Sequence, residues 1–142
     1  MNILLPVDGS ANSQRAVQFV LSLISLAAPP ELHLLHVRPP IDAWEVRRFL
    51  TPAEIADLQR HEGEEELRAC RSLLAGAGFP YFDQVLVDAG EVAEAIIRYA
   101  DEHGCDLIVM GTHGHTGLRQ ILMGSVASKV VHLAKVPVTL VK

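Results

Sequence analysis

The sequence is poor in several residue types, and each scarcity excludes a class of protein. Of its 142 residues two are cysteine and seven are aromatic, and the formal net charge is −5. The two cysteines are far apart and lack a metal-ligand spacing, so we expect reduced, buried thiols. Scattered aromatic residues and an acidic total argue against a nucleic-acid binder, which would normally present a basic face or a stacking platform.

Long apolar runs are also missing. The most apolar stretch, residues 16–30, contains polar residues and is shorter than the roughly 20 residues that span a bilayer. The first apolar run meets Pro6 and Asp8 too early for a signal peptide. Because 142 residues suit one hydrophobic core, we expect a single cytoplasmic domain over residues 1–142, with no membrane partner.

Short β-branched runs alternate with longer amphipathic ones along the chain. Thr51-Pro52-Ala53-Glu54 is a helix-start signal, and Gly76 with Gly78 is expected to end that helix. Gly63 should weaken it by about 1 kcal/mol relative to alanine. The predicted strands are 2–7, 32–37, 82–87, 106–110 and 136–141, and the predicted helices are 13–28, 51–75, 91–102 and 126–134. Residues 41–50 have no clear period and predict a loop with a fragment of helix.

Strict alternation of strand and helix predicts the fold class. It favours parallel pairing through right-handed crossovers, hence an α/β protein with a doubly wound five-stranded parallel sheet and helices on both faces. We predict the strand order 3-2-1-4-5. In such sheets ligands bind beyond the carboxyl ends of the strands where the order reverses, which here places the site between loops 8–13 and 111–125.

The loop after the fourth predicted strand is rich in glycine. Four of the ten glycines fall within 14 consecutive residues, at Gly111, Gly114, Gly117 and Gly124. Glycine permits positive φ and close approach of backbone amides to a ligand, and a following helix N-terminus binds anions. Ser125 would then cap the helix or donate its hydroxyl to a phosphate. A plain glycine-rich turn with Ser125 as N-cap is the alternative.

Charge is distributed unevenly around that loop. Residues 111–142 contain four Lys or Arg and no Asp or Glu, whereas residues 1–110 carry a net charge of −9. This acid-free segment suits an anionic ligand, although chance on a solvated helix face also explains it. Asp8 ends the first strand across the expected crevice. It suits a ribose diol or a phosphate-bridging metal ion, or else it caps the first helix.

These features resemble the universal stress protein family. Gly111-Thr112-His113-Gly114, then nine residues, then Gly124-Ser125 matches the family pattern G-x2-G-x9-G-[S/T]. The opening from Ile3 to Ser10, Leu35-His36-Val37 and Pro137-Val138 are also similar to that family. The resemblance extends over the whole chain and is weakest between Pro39 and Gln84.

The resemblance implies the ATP-binding branch of the family, a stress-response regulator that binds ATP or AMP, with or without Mg²⁺, and hydrolyses it slowly at most. It implies that Asp8 holds the ribose and that the Val37 backbone meets the adenine. Further implied contacts lie along the nucleoside (Met110 and Gly111) and at the phosphates (Gly114, Gly124, Ser125 and Val126).

Other functions are compatible with parts of the sequence. A nucleotide-dependent enzyme of the related α/β superfamily is one, although the chain lacks the H-x-G-H and S-G-G-x-D-S motifs after its first strand. A receiver-like signalling domain is another, with Asp88 as the phosphorylated residue. His113 and His115 flank Gly114 and invite a metal site, but we expect no metal and interpret them as loop imidazoles near a phosphate.

The last predicted strand suggests a partner. Residues from Val136 to Val141 are apolar except for Pro137 and Thr139, and an exposed apolar edge strand tends to pair with another chain. We expect a two-fold symmetric homodimer through this strand, which the family resemblance supports.

Overall fold

A computed structural model describes residues 1–24, 28–114 and 123–142 of the chain. The strands are β1 Asn2–Pro6, β2 Glu31–Arg38, β3 Tyr81–Val87, β4 Leu107–Gly111 and β5 Val138–Val141. The helices are α1 Ala11–Leu23, α2 Trp44–Phe49, α3 Pro52–Ala77, α4 Val92–Glu102 and α5 Ser125–Leu133. The elements alternate as the sequence predicted, and α2 is the fragment of helix expected within residues 41–50.

The five strands form one parallel sheet in the order β3-β2-β1-β4-β5. The predicted fold class and strand order are therefore confirmed. The chain turns back at β1, so β1 pairs with β2 on one side and with β4 on the other. At this reversal the connections after β1 and β4 lead to helices on opposite faces of the sheet, which leaves a crevice beyond the carboxyl ends of the two strands.

Alternating side chains of the sheet enter two separate cores. On β2, Leu35 and Val37 pack with residues of α4 and α5, whereas Leu32 and Leu34 pack with residues of α1 and α3. Burial on both faces explains why the central strands are almost continuously apolar. Among the described residues, no helix is both long and apolar enough to cross a membrane.

Helix α1 is shorter than predicted. It begins at Ala11, because the Ser10 side chain accepts a hydrogen bond from the Ser13 N–H and caps it. It ends at Leu23, so the prediction that the helix runs to residue 28 and is stopped by the prolines is wrong. Ile24 follows in extended backbone and still packs against the core, which is why its apolar character resembled a continuing helix.

Helix α3 has the predicted beginning. Thr51 caps it, Pro52 occupies its first turn, and Thr51 and Glu54 form a complete capping box. It ends at Ala77, where Gly78 adopts a left-handed conformation with φ of 73°. Gly76 lies inside the helix and does not end it.

The outer strand β5 pairs with β4 along one edge. It starts at Val138 rather than at the predicted Val136, and all four of its residues are half-buried. In the described part of the chain no strand covers its other edge. The edge required for the predicted homodimer is thus present in the fold.

Candidate functional site

A cleft lies beyond the carboxyl ends of β1 and β4, at the point where the strand order reverses. It contains about 690 Å³ of empty space, part of it open to solvent. All eight residues predicted to contact a nucleotide line this one cleft, namely Asp8, Val37, Met110, Gly111, Gly114, Gly124, Ser125 and Val126. The fold therefore brings together residues that are up to 118 positions apart in the chain.

Asp8 is fixed at the end of β1 by the start of α1. Its Oδ1 accepts a hydrogen bond from the Ser13 hydroxyl at 2.6 Å and another from the Ser10 N–H at 3.0 Å. The alternative that Asp8 caps α1 is wrong, because the N-cap is Ser10. Its Oδ2 faces the glycine loop, since a Cβ built on Gly114 would lie 2.5 Å from that oxygen.

The glycines of the loop are needed for space rather than for unusual backbone angles. None of Gly111, Gly114 and Gly124 has a positive φ, so of the two properties that favour glycine the close approach is the one that applies at these three positions. A Cβ at Gly111 would lie 2.7 Å from Cβ of Asn12, and one at Gly124 would lie 3.1 Å from the Thr112 carbonyl oxygen. Because a side chain at Gly111 or Gly114 would collide with α1 or with Asp8, glycine at these positions allows the loop to pass so close to both.

The amino terminus of α5 opens into the same cleft. Gly124 is its N-cap and Ser125 its first residue, which corrects the prediction that Ser125 is the cap. Helix geometry leaves the N–H groups of Ser125, Val126 and Ala127 without an intrahelical acceptor. The first turn contains no acidic side chain, so these N–H groups and the helix dipole favour an anion here.

The opposite wall of the cleft is apolar. Leu35 and Val37 from β2, Val92 and Ile96 from α4 and Met110 from β4 line it. A flat aromatic base suits such a wall, because its faces gain from contact with apolar side chains. The cleft thus combines an apolar side, a carboxylate and a helix N-terminus.

Two lysines of the basic segment 111–142 are paired with acidic residues away from the cleft. Lys129 forms an ion pair with Glu91, and Lys135 with Asp101 at 2.8 Å. Neither lysine lines the cleft, and Arg119 lies outside the described residues. Among the described lining residues Asp8 is the one acid and His113 the one basic side chain, so attraction for an anion comes from the α5 N-terminus.

The histidines of the loop were considered as metal ligands. His113 lines the cleft with Nδ1 2.8 Å from the Thr112 hydroxyl, whereas His115 and Gly117 lie outside the described residues. In the described ranges no group of three or more histidine, cysteine or acidic side chains converges to hold a metal ion. A Mg²⁺ ion at this cleft would depend on Asp8 together with oxygens of the ligand itself.

A buried histidine supports the strand end that carries Asp8. His36 donates from Nδ1 to the Val7 carbonyl oxygen at 2.7 Å, and its Nε2 contacts the carboxylate of Glu66 on α3. A Cβ at Gly9, whose φ is 81°, would lie 3.3 Å from the backbone of the same Glu66. Helix α3 thus packs directly beneath the turn between β1 and α1.

Asp88, the residue required by the receiver hypothesis, lies outside the cleft lining. It follows β3, which is an edge strand here, whereas receiver-type sheets place the third strand beside the first. The Gly90 N–H and the Arg98 guanidinium bind its carboxylate and lower its pKa. The receiver hypothesis is therefore wrong, because Asp88 and Asp8 are on separate parts of the sheet.

The sequence placed Ser13 at the end of the predicted site loop 8–13 but did not reveal the role of its side chain. Ser13 is 4% exposed, lines the cleft and bonds to Asp8. The available signal was its spacing, five residues after Asp8 at a strand-to-helix turn. The apolar lining residues of α4 gave no separate signal, because core and cleft side chains follow the same helical period.

Comparison with known proteins agrees with this architecture. Universal stress protein MJ0531 of Methanocaldococcus jannaschii is 32% identical over 148 residues, covering 99% of this chain and 81% of that protein. The structure of hypothetical protein MJ0577 is 32% identical, with a TM-score of 0.83 and coverage of 99% and 94%. A universal stress protein from Archaeoglobus fulgidus, solved in complex with dAMP, is 25% identical with a TM-score of 0.70 and coverage of 100% and 98%.

Fold and cleft define a doubly wound α/β protein with a ligand crevice at its topological switch point. The model of the universal stress protein family matches residues 1–142. This chain belongs to the universal stress protein family.

Proposed function

We propose that this protein is a stress-response regulator that binds an adenine nucleotide, ATP or AMP, reversibly in the cleft and performs no metabolic reaction. The observation that carries the proposal is the convergence of all eight predicted residues on one cleft, with Asp8 facing Gly114 and the α5 N-terminus lining the same cleft. The relative from Archaeoglobus fulgidus solved with dAMP, which has the same fold, supports an adenine nucleotide as the ligand.

Each part of the nucleotide has a chemically suitable surface in the cleft. The base lies against the apolar wall beside Val37 and Met110, and the ribose hydroxyls donate to the Asp8 carboxylate. The phosphates lie at Gly114, Gly124 and the first turn of α5, where backbone N–H groups and the helix dipole stabilise negative charge. Mg²⁺ is needed only where a second or third phosphate adds charge beyond what these groups neutralise.

Binding is tested by titrating the protein with AMP, ADP, ATP and cyclic AMP, with and without Mg²⁺, and by recording melting temperatures in parallel. A ligand at one hundred times its Kd stabilises the folded state by about 2.7 kcal/mol, which raises the melting temperature clearly. We expect a rise with at least one of these nucleotides. No rise and no heat of binding with any of them would refute the proposal.

The variant Gly124→Asp tests where the phosphates bind. The new carboxylate would lie at the α5 N-terminus beside the Thr112 carbonyl, and it should weaken binding by at least about a hundredfold through repulsion and bulk. Gly76→Asp is the matched control, because that glycine lies near the end of α3 with nothing within 4 Å of its added Cβ. Equal binding by the two variants would show that the phosphates lie elsewhere.

The regulatory role is distinguished from catalysis by product analysis. In the described lining the one carboxylate, Asp8, accepts from the Ser13 hydroxyl and the Thr112 hydroxyl contacts His113, and we expect neither pair to give more than slow phosphate release from ATP. Phosphate release is measured for the unchanged protein and for Gly124→Asp. Rapid, multiple-turnover hydrolysis that Gly124→Asp abolishes would instead support the alternative of a nucleotide-dependent enzyme.

A further inference from the structure

The Asp8 carboxylate is held by a closed ring of hydrogen bonds to Ser13. The Ser13 hydroxyl donates to Asp8 Oδ1 at 2.6 Å and accepts from the Asp8 backbone N–H at 3.0 Å. One buried hydroxyl therefore fixes both the main chain and the side chain of the same residue. The Ser10 backbone N–H adds a second donor to Oδ1 at 3.0 Å.

Two serines at this turn bond to different partners, although the Ser10 hydroxyl also donates to the Ser13 hydroxyl at 3.3 Å. The Ser10 hydroxyl accepts from the Ser13 N–H at 3.2 Å and thereby caps α1. The Ser13 hydroxyl gives its hydrogen to Asp8 instead. Stabilising the start of the helix thus depends on the Ser10 side chain, whereas the direction of the Asp8 carboxylate depends on the Ser13 side chain.

The ring fixes the direction of the Asp8 carboxylate. Oδ1 accepts hydrogen bonds from the Ser13 hydroxyl and the Ser10 N–H, and Oδ2 is directed toward Gly114, 2.5 Å from where a Cβ of that glycine would be. We propose that Ser13 is a positioning residue that orients the Asp8 carboxylate so that it accepts from the ribose hydroxyls of the nucleotide. This inference rests on the proposed function and adds the residue that gives the site its preference for a ribose with hydroxyl groups.

The test compares AMP with 2′,3′-dideoxy-AMP, which lacks both hydroxyl groups. The unchanged protein should bind AMP about tenfold or more tightly than the dideoxy nucleotide, because a hydrogen bond to a charged group is lost. Ser13→Ala should weaken AMP by about tenfold and the dideoxy nucleotide by less than about twofold. The ratio of the two Kd values should therefore approach one. General damage to the fold would weaken both ligands alike.

Matched variants separate positioning from folding. Ser10→Ala removes the cap and the long contact of 3.3 Å with the Ser13 hydroxyl, and it lowers the melting temperature. It keeps the Ser13 hydroxyl and the backbone N–H of residue 10 as donors to Asp8, so the ratio should persist. Ser13→Cys replaces the hydroxyl by a somewhat larger group that is a weak donor and serves if Ser13→Ala does not fold, and its ratio should also fall. In an Asp8→Asn background, Ser13→Ala should change the ratio no further.

Each outcome bears on the inference. A Kd ratio that survives in Ser13→Ala, or that falls equally in Ser10→Ala, overturns the positioning role. An unchanged protein that binds both nucleotides equally also overturns it, while nucleotide binding itself stands. An unchanged protein that binds neither nucleotide refutes the proposed function first and the role of Ser13 with it. A ratio lost only with the Ser13 side chain supports the proposal.

Discussion

Burial keeps the thiol of Cys70 protonated. The side chain is fully buried, and desolvation, followed by the nearby Asp8 carboxylate, raises the pKa of the thiol from its ordinary value of 9.0 to about 11. The folded protein thus holds this proton more tightly than the unfolded chain. The corresponding stability is complete below pH 9 and is lost as the pH rises toward 11. We expect the free energy of unfolding to fall by about 1–2 kcal/mol over this range.

Urea unfolding across that pH range measures this loss, with Cys70→Ala as the comparison. The variant is less stable at every pH because it leaves a cavity, but its stability should depend less steeply on pH. Cys105 and Tyr99 are also buried and their pKa values are also raised, so part of the slope remains. Identical slopes in the two proteins would contradict the prediction for Cys70.

Single residues show where sequence information was sufficient for the site and where it was not. Asp8 was found because a lone carboxylate after an apolar strand has few roles, and the glycines because their spacing is dense. The role of the Ser13 side chain was missed because serine near a helix start is ordinarily a cap, and only coordinates show that its hydroxyl bonds to Asp8. The sequence also does not show why the loop needs glycine, since the crowding of an added Cβ by Asn12 or Asp8 depends on tertiary structure.

At the scale of elements, α3 and β3 approach each other at a glycine. A Cβ built on Gly63 would lie 2.5 Å from Cγ1 and 3.0 Å from Cγ2 of Val85. Two of the three staggered positions on the valine Cβ are this close, so every rotamer of Val85 leaves at least one methyl group within about 3.0 Å of the new Cβ. Although helix propensity alone predicts that Gly63→Ala stabilises α3, we expect it to destabilise the protein by about 1–3 kcal/mol through overpacking.

Gly76→Ala is the matched substitution in the same helix. Nothing lies within 4 Å of its added Cβ, so this variant should gain up to about 1 kcal/mol. Chemical unfolding of both variants measures whether each substitution raises or lowers the free energy of unfolding. Adding Val85→Ala should relieve the destabilisation caused by Gly63→Ala. If both glycine substitutions stabilise the protein, α3 must move away from β3 without any loss of stability.

The sequence predicted which helices and strands are present better than it predicted where each of them begins and ends. The start of α3 could be predicted because both hydrogen bonds of its capping box join Thr51 and Glu54, which are close in sequence. The end of α1 is decided by how Ile24 enters the core in extended backbone, which the apolar period does not reveal. Alternation predicted the parallel sheet with right-handed crossovers but does not by itself decide the strand order, since 3-2-1-4-5 and 2-1-3-4-5 sheets both satisfy it.

At the scale of the whole molecule, the charge asymmetry that suggested an anion site has a different explanation. The chain is acidic overall, with −9 on residues 1–110, and lysines of the acid-free part form ion pairs with that acidic surface. The proposed anion site depends on the α5 N-terminus, which carries no net charge. An acidic protein therefore needs no basic patch to hold one small phosphate ligand.

The open edge of β5 leads to a prediction about assembly. The carbonyl oxygens of Pro137 and Val141 accept hydrogen bonds from the β4 side of the sheet. Because successive peptide groups of a strand point in opposite directions, the N–H and the carbonyl of Val138 point toward the open edge. Edge strands with such unpaired groups pair readily with a second chain, so we expect a two-fold symmetric homodimer through β5.

Val138→Pro tests this interface at the position that matters. Proline removes the outward N–H and leaves the hydrogen bonds between β4 and β5 in place, so a dimer should dissociate into folded monomers. Val138→Ala also shortens the side chain but keeps the N–H, and it should remain a dimer. Mass measurement in solution at micromolar concentration distinguishes these states. A monomeric mass for the unchanged protein would exclude the homodimer, whereas a Val138→Pro dimer would place the interface elsewhere on the surface.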